Sequence, residues 1–143
     1  MAILTDSGRV AIARAIVAQP LYLAWGLGDP DWDLPPELEP IEADDLVAEI
    51  GRRRASVVGY CVPDDDGEIV TVEGGRYRQS LTPTKWVFMR FAFDFQDGGD
   101  AAIRAVGVVM HVETDPERPP GQRSFWPEQV TDPGTLLLLE RIA

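Results

Sequence analysis

Histidine, cysteine and lysine occur once each in these 143 residues, as His111, Cys61 and Lys85. A Ser-His-Asp or Cys-His mechanism would have to run through His111. Its context, Val109-Met110-His111-Val112, reads as strand interior, where a structural histidine is expected. A single cysteine excludes an internal disulfide. Cys61, beside Tyr60 and Val62, reads as a small buried apolar residue rather than a reactive thiol. One Cys and one His far apart also fall short of the four ligands of a zinc site. No apolar run approaches the roughly 20 residues that span a bilayer. The start, Met1-Ala2-Ile3-Leu4-Thr5-Asp6, lacks a basic n-region, an apolar core and a cleavage site, which predicts no secretory leader.

Other catalytic signatures are missing too. Ser7, Ser56, Ser80 and Ser124 lack a nucleophile-elbow context. Gly26-Leu27-Gly28 has neither the third glycine nor the Lys-Ser/Thr of a phosphate loop. A calcium loop starting at Asp64 needs glycine at its sixth position and glutamate at its twelfth, but Ile69 and Gly75 stand there. Asp64-Asp65-Asp66-Gly67 is instead a turn, with carboxylates bonding local amides. No catalytic residue, metal site or cofactor is expected.

What is abundant is acid. The formal net charge is −11, which repels nucleic-acid phosphates, so no nucleic-acid partner is expected. The other twelve basic residues are all arginine. Three of them, Arg52-Arg53-Arg54, form a local basic spot. It suits either an acidic patch on a neighbouring subunit or a solvated helix end, where positive charge complements the dipole.

The length suits one domain, residues 1–143, with one sizeable core. Residues 5–18 predict a helix: Thr5 or Asp6 caps its start, Ile12 and Ile16 with Ala13 and Val17 make an apolar stripe, and Pro20 stops it. Leu21–Trp25 is a short strand. Residues 29–42, with four prolines and six acids, form an acidic Pro-rich surface loop. Asp44–Ile50 has Leu46, Val47 and Ile50 at helical spacing, which predicts one or two helical turns.

From residue 53 to 143 the body is β-rich. Trp86–Phe95 alternates most clearly, with Val87, Met89, Phe91, Phe93 and Phe95 on the face expected to form the core. Gln96–Asp100 is a turn, Ala102–Val112 a long strand, Thr114–Gly121 a Pro-rich loop and Thr135–Ile142 a final apolar strand. The pattern predicts an α+β fold: an antiparallel β-sheet or sandwich of about six to eight strands with one or two packed α-helices. An all-β sandwich is the alternative.

Thr5 to Gly8 with Ala13 to Val17, then Trp25, Gly28 and Asp29, then Leu46, Val47, Glu49 and Arg53, and finally Ile103, Arg104, Val106 and Gly107 follow one another in a recognisable order. In that order they resemble the amino-terminal attachment domain of bacteriophage tail-collar and tail-fibre proteins, over roughly residues 3–113. The resemblance implies a small phage or prophage tail or baseplate virion protein. Fibre proteins continue into a shaft and a receptor-binding tip, and nothing follows Ala143 here, so attachment rather than receptor recognition is the expectation.

The resemblance implies a structural, non-enzymatic component of a tailed phage that connects tail fibres to the tail. Its partners would be other tail or baseplate proteins and the fibre, in a multi-copy symmetric assembly, with no membrane partner. It would sit in the virion tail, and in the host cytoplasm during assembly. The alternative is an acidic soluble interaction module, either a tail assembly factor or an inhibitor of a host protein. Candidate partner-binding residues are Arg52 and Arg53 of the basic spot, and Leu136 and Leu138 of the terminal strand, whose lack of polar alternation demands cover on both faces. Trp32 and Trp126 join them. Each either anchors an interface or packs back on its own domain.

Overall fold

The computed structural model describes residues 1–33, 39–71, 73–93 and 102–142. Phe95, the Gln96–Asp100 turn and residues 34–38 of the acidic loop lie outside them. The chain divides into two compact units. A helical unit comprises Met1–Gln19 and Ser56–Arg90, and an acidic unit comprises Pro20–Ala55 and Phe91–Ala143. The fold is α+β with antiparallel sheets, as the sequence pattern predicts. The described residues form eleven strands in three sheets rather than six to eight, because several are only two or three residues long.

In the helical unit, α1 spans Asp6–Val17. The Thr5 hydroxyl accepts the Gly8 N–H at 3.0 Å, satisfying one free amide at its start. Ala13 is its only buried residue, while Ile16 and Val17 are half-buried and Ile12 is exposed. The sheet runs β4 (Ile69–Val70), β5 (Arg76–Ser80), β3 (Val57–Pro63), β6 (Trp86–Arg90) in spatial order. The Asp64–Gly67 turn forms as expected: the Asp64 carboxylate accepts the Asp66 N–H at 2.9 Å, and its carbonyl accepts that of Gly67. Cys61 is buried on β3, and burial pushes its thiol pKa up.

Of the expected strand at 86–95, the described residues form a regular strand over Trp86–Arg90. Val87 and Met89 are half-buried, but so is Phe88 on the opposite face, where it lies against Gly59. The cover of β6 is thus shared between two faces, Val87 beside the α1 residues Ile12 and Ile16 and Phe88 against Gly59.

In the acidic unit, a five-stranded sheet has the order β11 (Thr135–Arg141), β7 (Ala105–Met110), β1 (Tyr22–Gly26), β2 (Glu49–Arg54), β9 (Ser124–Phe125). A separate pair joins β8 (Glu113–Thr114) to β10 (Val130–Asp132). Ala24, Ala105 and Val109 on one sheet face leave room for Leu46, and Trp32, Leu136 and Leu139 pack around them. Gly107 completes this hollow: a Cβ there would lie 2.7 Å from Leu136 Cδ1 and 2.8 Å from Leu46 Cδ1. On the other face Trp25 meets Phe93 edge-on at 5.3 Å.

Two expectations are corrected here. Asp44–Ile50 is not helical. Ala48 has φ 53, and the Val47 and Ala48 carbonyls accept the N–H groups of Gly28 and Leu27, so the chain turns and enters β2 at Glu49. His111 lies not inside a strand but just past the end of β7, exposed, with φ 59.

Candidate interaction surface

Charge divides unevenly. The helical unit holds six acidic and six basic side chains, whereas the acidic unit holds 18 Asp and Glu against seven Arg. The entire −11 therefore belongs to the acidic unit.

The run Arg52-Arg53-Arg54 sits on β2 rather than at a helix end, so alternation sends its side chains to opposite faces. Arg52 is only 3% exposed. Its Nη1 donates to the Pro133 carbonyl at 2.8 Å and its Nη2 to Glu49 Oε1 at 2.6 Å. Burial raises the Glu49 carboxyl pKa, and the Arg52 charge opposes that rise. The pair thus ties β2 to the turn that opens β11 and is beyond a neighbour's reach. Arg53, half-buried, donates to Ser124 Oγ at 2.9 Å and links β2 to β9.

Trp32 packs on its own unit. Its ring lies against the Ala24–Leu46–Ala105–Val109 cluster, with the Arg141 guanidinium 4.0 Å above it. Gly28 makes this possible: its φ of 61 favours glycine, and a Cβ would sit 2.6 Å from the ring. Close by, the Glu39 carboxylate accepts the Arg141 N–H at 2.9 Å, a bond that lowers the Glu39 pKa.

Trp126 is different, with half its surface open to solvent. A glutamine-centred network fixes the loop that carries it. Gln129 Oε1 accepts the Trp126 N–H at 3.1 Å and the Gln122 side-chain amide at 3.0 Å, and Arg118 Nε donates to Gln122 at 2.9 Å. The indole is therefore held out on an ordered support.

Leu136 and Leu138 separate as well. A bulge between them breaks the β11–β7 register, leaving Leu136 paired with Val109 in the core and Leu138 55% exposed. The terminal strand is not covered on both faces among the described residues: Leu138 is exposed while Leu136, Leu137 and Leu139 are half-buried, and β11 takes an edge of the sheet. Trp126 follows β9 at the opposite edge. Four strand spacings, roughly 19 Å, separate the two edges.

The residues that carry the sequence resemblance prove to be supports. Leu46 and Gly107 meet in the core. The Arg104 N–H donates to the Gly26 carbonyl at 3.0 Å and its Nη1 to that of Leu27 at 3.2 Å, closing the Gly26–Gly28 bend. Glu39 was not singled out from sequence, because one acid among six in a loop carries no signal of its own.

Among the described residues no group of three or more His, Cys, Asp or Glu side chains could hold a metal ion. No described helix is long and apolar enough to cross a membrane. The arrangement offers side chains for protein contact on an ordered β-rich scaffold, which is the character of a structural interaction module. The chain belongs to the family described as baseplate wedge 3 tail fiber network component, which matches residues 1–143. A baseplate component is part of the phage tail, so the tail and baseplate side of the sequence resemblance holds, while the match is not specifically to tail-collar proteins. No curated protein matches the sequence.

Proposed function

We propose that this chain is a non-enzymatic, multi-copy connector that joins tail fibres to the baseplate through protein–protein contacts. One observation carries the reading: among the exposed apolar side chains of the acidic unit, Leu138 and Trp126 lie at or beside opposite edges of one sheet. Two contacts facing apart suit a bridge between two partners better than a single binding pocket does. Their supports, the Glu49–Arg52 pair and the Gln122–Gln129 network, hold them without ordering on contact, which lowers the entropic cost of binding. The surrounding acid steers them toward basic protein surfaces and away from nucleic acid and anionic lipid. The chain would fold in the host cytoplasm and end in the virion tail.

The test uses phage carrying Trp126→Ala or Leu138→Ser, with quantitative mass spectrometry of purified particles. The expected result is loss of fibre relative to the tail tube for at least one variant while the chain itself remains. Full fibre occupancy in both variants refutes the reading.

The concentration of all net charge in one unit favours a second reading, a soluble assembly factor or inhibitor of a host protein. It predicts a chain abundant in the lysate and missing from mature particles. A fixed ratio of chain to tail tube in those particles rejects it.

A further inference from the structure

At the edge of the acidic unit's sheet, β11 pairs with β7 on one side and with no described strand on the other. The bulge beyond Leu136 ends at Leu138, and from Leu138 to Arg141 the register with β7 is continuous. Two bonds fix the backbone directions. The Ile142 N–H donates to the Arg104 carbonyl on the β7 side at 2.8 Å, whereas the Arg141 N–H turns the other way, to the Glu39 carboxylate at 2.9 Å. Alternation along a strand gives Leu139 the direction of Arg141. The Leu139 N–H and C=O therefore point off the sheet, and no described residue bonds them there. Glu39 shows what this edge takes: an oxygen acceptor standing where a neighbouring strand's carbonyl would stand.

Side chains alternate too. Leu139 packs around the core and Arg141 lies over Trp32. Leu138 and Glu140 share the opposite face, and both are exposed. Glu140 forms no ion pair among the described residues. An added strand sets its own side chains directly across from these two, where apolar pairs and opposite charges stabilise and like charges repel. The edge thus specifies its occupant at two positions: an apolar residue across from Leu138 and, two residues away, a lysine or arginine across from Glu140. A second copy of β11 is a poor match, because its exposed face brings Glu140 and no base.

We infer that the Leu138–Arg141 edge binds an extended segment of a partner protein by strand addition, the segment pairing its backbone with Leu139 and carrying an apolar residue two positions from a basic one. The inference rests on the connector reading, in which Leu138 is one of the two contacts, and adds how that contact is made and what sequence it takes. Backbone pairing supplies affinity, and the pairs with Leu138 and Glu140 supply selection. Glu39 stays on the Arg141 amide and limits the addition to a few residues.

The experiment is amide NMR on the full, isotope-labelled chain, titrated to about 5 mM, the range of weak contacts, with the capped peptide Val-Thr-Lys-Thr-Val. This peptide holds the apolar–basic spacing in either strand direction. The Leu139 amide is expected to shift and to gain protection from hydrogen exchange. Glu140→Lys weakens binding of this peptide at least about threefold, the effect of exchanging an attractive cross-strand pair for a repulsive one, and it restores binding to Val-Thr-Glu-Thr-Val. Glu140 is exposed, so the variant keeps the parent's amide spectrum away from the edge. Trp126→Ala leaves peptide binding unchanged.

A Leu139 amide that ignores the peptide at about 5 mM overturns the inference. So do shifts confined to other residues, or a Glu140→Lys chain that treats both peptides as the parent does. Protection of the Leu139 amide that grows with the concentration of the chain alone also overturns it, making a second copy the occupant. The connector reading fails separately. Peptide bound at Leu139 with full fibre occupancy in both Trp126→Ala and Leu138→Ser particles refutes the connector alone. Leu138→Ser particles that lose fibre, when the parent's Leu139 amide ignores the peptide, refute strand addition alone.

Discussion

The two units solve opposite problems, the helical one with 54 residues and the acidic one with 89. The acidic unit carries 18 acids and still closes a core, because small residues in the sheet (Ala24, Ala105, Gly107) let Leu46 and Trp32 approach and because Arg52, the one deeply buried charge among its described residues, is paired with Glu49. The helical unit carries no net charge and leaves much of its apolar surface open, with Ile3, Leu4 and Ile12 all exposed. Charge balance and core closure do not go together here. The highly charged unit closes its core because Ala24, Leu46, Ala105 and Val109, all apolar, are what its sheet face buries.

That contrast can be attacked where the acidic unit depends most on a single group. Arg52→Ala leaves the Glu49 carboxylate buried without its partner and should cost about 3–5 kcal/mol in urea unfolding. A loss below about 1 kcal/mol would mean the pair is not what ties β2 to β11. Glu49→Gln in the same background should recover part of the loss.

The next test compares close packing in the two units. Gly107→Ala pushes a methyl against Leu136, Leu46 and the Leu138 carbonyl, and should cost about 1–3 kcal/mol. Gly59→Ala meets only the Phe88 ring at 3.1 Å, and the gain in strand propensity offsets it, so a change of less than about 1 kcal/mol is expected. Equal costs would erase the distinction between a closed and an open core.

Acidity gives a smaller effect with two opposing signs inside the acidic unit. Burial raises the folded pKa of Glu49, so the native state binds more protons than the unfolded chain between the ordinary glutamate range and that raised value. Its contribution to stability therefore grows as pH falls through this window. Glu39 is lowered by the Arg141 N–H bond. Its contribution is present above the ordinary glutamate range and is lost as pH falls through the lowered value. Unfolding measured between about pH 3 and pH 6 should lose the first slope in Glu49→Gln and the second in Glu39→Gln. Unchanged slopes in both variants would show that neither carboxyl is coupled to folding.

The smallest effect on stability belongs to the residue with a large proposed effect on binding. Trp126→Ala should change unfolding by no more than about 0.5 kcal/mol, as for an exposed surface position. A larger loss would mean that the indole supports its loop rather than the reverse.

Much of this organisation is legible in the sequence wherever one local rule dominates. Thr5 and Asp6 before an apolar stripe produce α1, and the Asp64–Gly67 run produces its turn. Legibility fails where a tertiary contact overrides local spacing. Leu46, Val47 and Ile50 have helical spacing, yet backbone bonds from Leu27 and Gly28 pull Val47 and Ala48 into a turn. Three consecutive arginines conceal a strand, since nothing local reveals that Glu49 and the Pro133 carbonyl await Arg52. Trp32 and Trp126 have similar Pro-rich, acidic surroundings but opposite fates, set by a glycine that opens a seat for one ring and by glutamines that hold the other out.

Four leucines in succession on an open sheet edge would ordinarily invite endless strand addition. In β11 the bulge beyond Leu136 spoils the register at one end, and the Glu39 carboxylate already occupies the Arg141 amide at the other. Between them remain Leu138 to Glu140, about 10 Å of continuous backbone. That is enough for a foreign strand to be recognised and too little for a filament to propagate. The same short edge that limits strand addition between copies of this chain leaves Leu138 open to solvent.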